Sequence, residues 1–245
     1  MEIHAHYRRI MLDVVSLSKD EVLKRAKWKC PLEGHSKHNG LEHSACYDRL
    51  HTQNFGERIG FLDIETTDLN ADYGIVTCYC IKDAGSNKIY EDCLTPEDIK
   101  KYASKRRDVE PREDTRILES LVKDLKNFDR LVLHYGCGFD IPFLRTRAVI
   151  CRVPFPTHGF YVMSDTWVML KKKFKLSRNS LENGCRKLVG TTNKDRLSMS
   201  IKHGALRGEK WAIMNMLVHC RKDVIDTEAL YNLIHMYSKK TKSLI

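Results

Sequence analysis

The sequence predicts an α/β fold with a mixed central sheet flanked by helices and a small Cys/His-rich appendage at the N-terminus. Two observations carry this prediction: three short β-rich segments joined by tight turns, and then an amphipathic helix that leads to a further apolar strand. The first is typical of an antiparallel meander and the second of a parallel strand pair. We divide the 245 residues into an N-terminal segment, 1–57, and a main domain, 58–245.

The first predicted strand combines apolar residues with two acids. It begins near Ile59, and the stretch FLDIETTDL, residues 61–69, places Asp63 and Glu65 among apolar neighbours. Residues two apart on a strand project to the same face, so the two carboxylates lie side by side. Such a pair either ends the strand in solvent or shares a cation that offsets repulsion and desolvation. The acids alone leave both interpretations open.

The following segments complete the meander and supply the crossover. Residues 75–81 and 88–93 are rich in β-forming side chains and are bounded by turn residues. Residues 115–128 carry apolar side chains at spacings of three and four, which predicts an amphipathic helix. The short apolar stretch 130–134 is then expected to lie parallel to the first strand.

A glycine-rich turn follows this parallel strand. Gly136 and Gly138 favour a tight turn, and Asp140 is predicted at the N-cap of the next helix. Asp140 is therefore either an ordinary helix cap or a neighbour of the two acids on the first strand. The second interpretation is favoured by parallel pairing, because sites in such folds gather where neighbouring strands end.

A third acid lies near the C-terminus, where residues 218–227 open a predicted helix that runs to about Tyr237. His219 and Asp223 are four residues apart and share one helix face. Asp226 is three residues further on and could share that face. These side chains are either solvated on a basic helix or part of a site with the acids upstream.

The N-terminal segment concentrates cysteine and histidine. A capping-box pattern at residues 18–21 predicts a short helix that ends near Lys27. The polar stretch after it suits a structural zinc ion, because thiolates and imidazoles on loops are its usual tetrahedral ligands. The predicted ligands are Cys30, His35, His43 and Cys46, with His38 as an alternative to His35. The other interpretation is a His-rich loop with free thiols.

Net charge points to a polyanionic partner. The sequence has 42 Lys and Arg against 32 Asp and Glu, a net charge of +10, with basic clusters at 100–107, 171–178 and 239–242. No apolar run approaches the ~18 residues of a membrane span, and no apolar signal segment opens the chain. With nine cysteines, an odd number, we expect a protein of a reducing intracellular compartment, cytoplasmic or nucleoid/nuclear, with no membrane contact.

Three stretches together resemble the motifs of the DEDD (DnaQ-like) 3′→5′ exonucleases: FLDIETTDL, HYGCGFDIPFL and HCRKDVIDT, at residues 61–69, 134–144 and 219–227. The similarity extends from about Ile59 to about Tyr237. The second motif looks most similar to stand-alone YprB-type domains. The resemblance implies a ribonuclease H-like fold and a metal-dependent hydrolase of phosphodiester bonds.

The resemblance also implies four metal-binding acids. Asp63 would bridge two Mg²⁺ or Mn²⁺ ions, Glu65 and Asp223 would hold the ion that carries the attacking water, and Asp140 would support the other ion directly or through water. Hard oxygen ligands suit these cations, and two ions can stabilise both the attacking and the leaving oxygen.

One position departs from the family pattern. One branch of the family has Tyr four residues before the last acid and the other has His five before it, whereas this chain has His219 four before Asp223 and Val218 at the fifth position. Imidazole can orient or deprotonate water near neutral pH, so we predict a catalytic role for His219.

Substrate contacts are expected beside the acids, at positions that meet the terminal nucleotide in similar enzymes or flank Asp140: Thr66, Thr67, Leu69, Phe139 and Phe143. The two phenylalanines could equally be core residues. The expected substrate is single-stranded nucleic acid, DNA more than RNA, with a polymerase or another repair or replication enzyme as partner. The competing hypotheses are a nucleic-acid-binding module with weak or no catalysis and a structure-selective endonuclease.

Overall fold

The structure, a computed structural model, describes residues 19–30, 39–41, 47, 57–103, 112–157, 160–193 and 197–238. Of the predicted zinc ligands it describes Cys30, which is buried against Trp28 and Val162. The others, together with the serine of the predicted capping box, lie outside the described residues: Ser18, His35, His38, His43 and Cys46. The zinc site therefore stays a prediction.

A five-stranded mixed sheet forms the centre of the fold, with the strand order β3-β2-β1-β4-β5. The strands are β1 Ile59–Thr66, β2 Val76–Asp83, β3 Ile89–Cys93, β4 Arg130–Leu133 and β5 Val162–Asp165. The pairs β1–β2 and β2–β3 are antiparallel, whereas β1–β4 and β4–β5 are parallel. The predicted α/β class, a meander followed by parallel strands, is confirmed.

Helices flank the sheet. They are α1 Lys19–Lys27, α2 Pro96–Ala103, α3 Thr115–Leu125, α4 Asp140–Cys151, α5 Thr166–Lys173, α6 Leu181–Gly184, α7 Met199–Leu206 and α8 Lys210–Ile234, with a π-helical turn at Cys185–Val189 and a 3₁₀ turn at His235–Tyr237. None of the described helices combines the length and the apolar character that a membrane crossing requires.

Two predicted helix boundaries were wrong. Helix α8 begins at Lys210, eight residues before the predicted start, because Ile213 and Leu217 extend its buried stripe upstream. Helix α3 ends at Leu125, after which the backbone N–H of Phe128 bonds to the carbonyl oxygen of Leu125 at 3.1 Å and closes a turn.

Strand β2 lies between α3 and α8. The Tyr79 hydroxyl donates to Asp124 of α3 at 2.7 Å, whereas the Cys80 thiol lies 4.0 Å from the carbonyl oxygen of Leu217 in α8. Adjacent residues of a strand point to opposite faces of the sheet. The two helices therefore cover opposite faces, and α8 lies on the face that carries the acids of β1.

A buried ion pair fixes the loop after β1 to helix α4. The Arg147 and Asp114 side chains are both 0% exposed and lie 2.7 Å apart. Asp114 also accepts from the backbone N–H of Val76 at 3.0 Å, and Arg147 donates to the carbonyl oxygen of Ala71 at 3.1 Å. The middle of the loop between β1 and β2 and the first residue of β2 are thus held in place.

Candidate active site

The first strand presents its two acids at the edge where the parallel strands end. Phe61 pairs with Val132 of β4, so Asp63 and Glu65 extend beyond the paired part of β4. The pairing register with β2 shifts directly after Glu65, where Thr77 donates its hydroxyl to the Glu65 carbonyl oxygen at 2.9 Å. Such irregularities re-aim a strand and are frequent beside active sites.

Asp140 lies at the same edge of the sheet, at the start of α4 and after the turn that follows β4. It is the first residue of α4, not the predicted N-cap, and Phe139 occupies the cap position without a side-chain hydrogen bond. Burial raises the pKa of Asp140 to about 7, and the negative charges of Asp165 and Asp223 add to this effect. Backbone hydrogen bonds at Asp140 and from Ile64 oppose it. Asp140 therefore lies in a buried cluster of acids whose mutual repulsion a cation would offset.

Helix α8 supplies His219 and Asp223, both buried. The Nε2 atom of His219 lies 3.7 Å from Oε1 of Glu65 and 3.8 Å from Oδ2 of Asp223. The thiol of Cys220 donates to the backbone carbonyl of Asp63 at 3.3 Å, which seats the helix directly on β1. The imidazole of His219 thus lies between carboxylates of the first and third sequence motifs.

The donor set fits a hard divalent cation by its chemistry. Carboxylate oxygens are the ligands that Mg²⁺ and Mn²⁺ prefer, and Oδ2 of Asp63 and Oδ1 of Asp223 are shielded from solvent. Within the part of the chain that the structure describes, no three acidic, histidine or cysteine side chains already surround a common centre. The acidic side chains carry like charges and repel one another, and a bound cation would offset that repulsion.

Asp226 does not belong to this cluster, although its spacing in the sequence allowed it. Its buried carboxylate accepts from the Thr192 hydroxyl at 2.7 Å and from the Asn193 side-chain amide at 2.7 Å. It therefore anchors the loop after the π-helical turn to α8. The role of Asp226 is structural.

Asp165 is a residue that the sequence prediction missed. It ends β5, caps helix α5 by accepting from the Trp167 N–H at 2.9 Å, and also accepts from the N–H groups of Tyr135 at 3.0 Å and Cys137 at 3.1 Å. One buried carboxylate thus shapes the glycine-rich turn that leads to Asp140. Its sequence signal is that of an ordinary N-cap, an acid directly before a helical run.

An open pocket of about 290 Å³ lies beside Asp140. Its lining comes from the loop after β1 and the start of α4: Leu69, Asn70, Ala71, Asp72, Gly138, Phe139, Pro142, Phe143 and Thr146. Leu69 is strongly exposed there, whereas Phe143 is largely buried and its ring centroid lies 5.6 Å from that of Phe139. Three of the five predicted substrate residues thus line one pocket.

The two predicted threonines serve the loop itself. The Thr66 hydroxyl donates to the carbonyl oxygen of Asp68 at 2.7 Å, and the Thr67 hydroxyl accepts from the N–H of Ile75 at 3.0 Å. Neither lines the pocket. Their observed role is to hold the loop that presents Leu69.

Comparison with known proteins gives a broad class for the chain. A family model described as RNase_H superfamily matches residues 60–235. No curated protein matches the chain. Among solved structures, the chain is similar to a family B DNA polymerase from the hyperthermophilic archaeon Pyrobaculum calidifontis, with a TM-score of 0.51 and 16% identity over 73% of this chain and 24% of the polymerase chain. At that identity the likeness concerns the fold alone.

Proposed function

The chain belongs to the RNase_H superfamily, and from this premise we propose that it is a metal-dependent 3′→5′ exonuclease acting on single-stranded nucleic acid, DNA in preference to RNA. Family membership supports a nuclease in general. The observation that carries the proposal is the gathering of Asp63, Glu65, Asp140 and Asp223 around one edge of the sheet, with His219 among them. The direction of cleavage rests on the resemblance of the three motifs to DEDD exonucleases.

The acids would hold the cations and the histidine would act on water. Mg²⁺ or Mn²⁺, when bound, would stabilise charge on the attacking and leaving oxygens and lower the pKa of bound water. Asp63 would hold both ions, Glu65 and Asp223 one of them, and Asp140 the other. His219 lies 3.7 Å from Glu65 and would orient the attacking water or accept its proton.

The pocket beside Asp140 would receive the terminal nucleotide. Its volume of about 290 Å³ is at the small end of ligand sites, which suits one nucleotide rather than a longer segment. Leu69 and Phe139 would contact the base or sugar. The buried ion pair of Arg147 would keep the Leu69 loop in position through Ala71.

The basic run at the end of α5 would guide the strand. Its side chains are exposed and come from one short stretch: Lys171, Lys172, Lys173, Lys175 and Arg178. Positive charges along a surface attract the phosphate backbone whatever its sequence. A polymerase or another replication or repair enzyme is the proposed partner, because such an enzyme exposes the 3′ ends on which this site would act.

Cleavage of end-labelled strands tests the proposal. DNA and RNA oligonucleotides with a 5′ label are incubated with Mg²⁺ or with Mn²⁺, and a ladder that shortens from the 3′ end is expected. Asp63→Asn should remove the activity, whereas the matched control Glu119→Gln, an exposed acid on α3 on the opposite face of the sheet, should not. The absence of cleavage in both metals, or full activity of Asp63→Asn, would contradict the proposal.

A circular single strand separates the exonuclease from an endonuclease. A circle has no 3′ end, so the proposed enzyme leaves it intact while it degrades the linear strand of the same sequence. Linear products from the circle would instead assign internal cleavage to the same acids.

A further inference from the structure

Tyr135 occupies a backbone conformation that bulky residues rarely adopt. Its φ of 63° lies in the left-handed region, where Gly and Asn are tolerated best. Burial of the ring does not offset the energetic cost of this backbone conformation, because Tyr135 remains 48% exposed. Strain of this kind collects at functional sites. A turn of this shape does not need an aromatic side chain at this position.

The ring of Tyr135 belongs to a cluster with Trp167 and Lys171, which we call the aromatic platform. The ring centroids of Tyr135 and Trp167 are 5.0 Å apart with an interplanar angle of 64°. The Nζ atom of Lys171 lies 4.8 Å from the centroid of Trp167. Two rings and one cation thus occupy one patch of surface.

A single buried side chain connects the backbones of the two residues that carry the rings. Asp165 accepts from the backbone N–H of Tyr135 and from that of Trp167, so the two residues that carry the rings are tied to the same carboxylate. Asp165 ends β5, where it pairs with Leu133 of β4. The aromatic platform therefore lies at the edge of the sheet where the parallel strands end.

The aromatic platform also borders the pocket beside Asp140. The Tyr135 ring lies over Gly138, where a Cβ atom would approach Cζ of the tyrosine to 2.9 Å. Gly138 is itself part of the pocket lining. Exposed lysines continue from the platform along the end of α5, at Lys172 and Lys173. Proteins that bind single-stranded nucleic acid combine aromatic side chains with positive charge in this way.

We propose that the aromatic platform stacks a base of the single strand, upstream of the nucleotide whose end lies in the pocket. The choice of ligand rests on the proposed function. Stacking on Tyr135 holds a base whatever its identity, because every base has a π-face, and Lys171 adds charge beside the ring of Trp167. The aromatic platform therefore sets affinity for unpaired bases and leaves the hydrolytic step to the acids.

Tyr135→Asn is the variant that tests this assignment. Asparagine tolerates the left-handed backbone, so the variant should fold and should melt at the same or a higher temperature than the wild type. Its affinity for a short fluorescein-labelled oligothymidylate should fall about tenfold, within the range expected for the loss of one base stack. Affinity is measured by fluorescence anisotropy in EDTA, where no cleavage occurs. Trp211→Leu, which removes an exposed aromatic at the start of α8, is the matched control and should bind as the wild type.

An oligothymidylate that keeps its 3′-terminal nucleotide but is abasic upstream of it, with the same number of phosphates, provides a test without any variant. The wild-type protein should bind it about tenfold more weakly than oligothymidylate, whereas Tyr135→Asn should bind the two alike. Equal binding of both strands by the wild type, or undiminished binding of oligothymidylate by Tyr135→Asn, would contradict the proposal that the aromatic platform stacks a base. Loss of the proposed function would instead be seen as a lack of cleavage by the wild type, with the binding results unaffected.

Discussion

His219 lies between two carboxylates, with its Nε2 atom 3.7 Å from Glu65 and 3.8 Å from Asp223. The spacing in the sequence differs from both branches of the similar exonucleases, yet the side chain still reaches the acid cluster. It does so because α8 crosses β1 so closely that the thiol of Cys220 bonds to the backbone of Asp63. The position of the helix, more than the residue count, brings the imidazole to the site.

We predict that His219→Ala lowers kcat by roughly 10²- to 10⁴-fold, the usual contribution of a positioned general base, with little change in KM. His219→Gln separates two roles: the amide can orient water by hydrogen bonding but cannot accept its proton. Equal losses in both variants, measured by steady-state cleavage of a labelled strand, assign proton transfer to His219. If His219→Ala cleaves at the wild-type rate, His219 neither orients the water nor accepts its proton.

The ionisation of Asp140 makes the stability of the fold depend on pH. Its pKa is raised from 3.8 to about 7, first by burial and then by neighbouring charges, so the folded protein binds a proton that the unfolded chain releases more readily. This contribution to stability is fully present below pH 3.8 and is lost as the pH rises through about 7. Without a divalent cation, the cluster therefore destabilises the fold at alkaline pH.

We predict that Asp140→Asn raises the melting temperature at pH 8 in EDTA by several degrees, because the neutral amide removes a buried charge from the cluster. At pH 5 the gain should be smaller, and Mg²⁺ or Mn²⁺ should stabilise the wild type more than the variant. Differential scanning fluorimetry across pH and cation measures all three effects. A variant that is less stable than the wild type at pH 8 would show that the carboxylate is not under electrostatic stress.

Among the structural elements, those with a strong local pattern were predicted and those without it were not. Strands β1 to β3 combine β-forming residues with tight turns, and α3 has a clear apolar stripe. Strand β5, Val162–Asp165, is as short as β4 but ends in Ser164 and Asp165, so it lacks the continuous apolar run by which β4 was recognised. The early start of α8 was missed because burial of its first turns depends on tertiary packing, which a local pattern does not contain.

The candidate site shows the same division. Strand geometry placed Asp63 and Glu65 side by side, and parallel pairing favoured Asp140 as their neighbour. Their assignment with Asp223 to one metal-binding set came from the resemblance to the DEDD exonucleases. Asp165 and Asp226 could not be assigned from the sequence, since an acid that caps a helix or anchors a loop has the same local pattern as one that binds a cation. Only their hydrogen bonds to residues distant in the sequence distinguish these roles.

The buried pair of Arg147 and Asp114 joins the elements that carry the site. We predict that Arg147→Met destabilises the protein by about 3–5 kcal/mol, because it leaves Asp114 charged and buried. Arg186→Met removes one partner of the exposed ion pair with Glu182 and should cost less than about 1 kcal/mol, which makes it the matched control. Urea unfolding measures both. Similar losses in the two variants would mean that burial does not decide the outcome.

At the scale of the whole molecule, a net charge of +10 surrounds a cluster of acids at one edge of the sheet. The positive net charge attracts a polyanion over long range. The acid cluster itself repels phosphates, and a bound cation would offset that repulsion. The attraction is electrostatic and independent of base sequence, so salt screens it. The stacking on the aromatic platform responds much less to salt, which allows the two contributions to be measured separately.

We therefore predict a steep, linear fall of log affinity with log salt concentration for single-stranded DNA. Each phosphate contact contributes a slope of about −0.7, so replacing Lys171, Lys172 and Lys173 by Gln should flatten the slope by about 2 if all three contact phosphates. Replacing Lys100 and Lys101, on α2, is the control and should leave the slope unchanged. Fluorescence anisotropy titrations in EDTA at increasing salt give both slopes. If the triple variant keeps the wild-type slope, the strand does not follow the end of α5, and its path must lead over another basic surface.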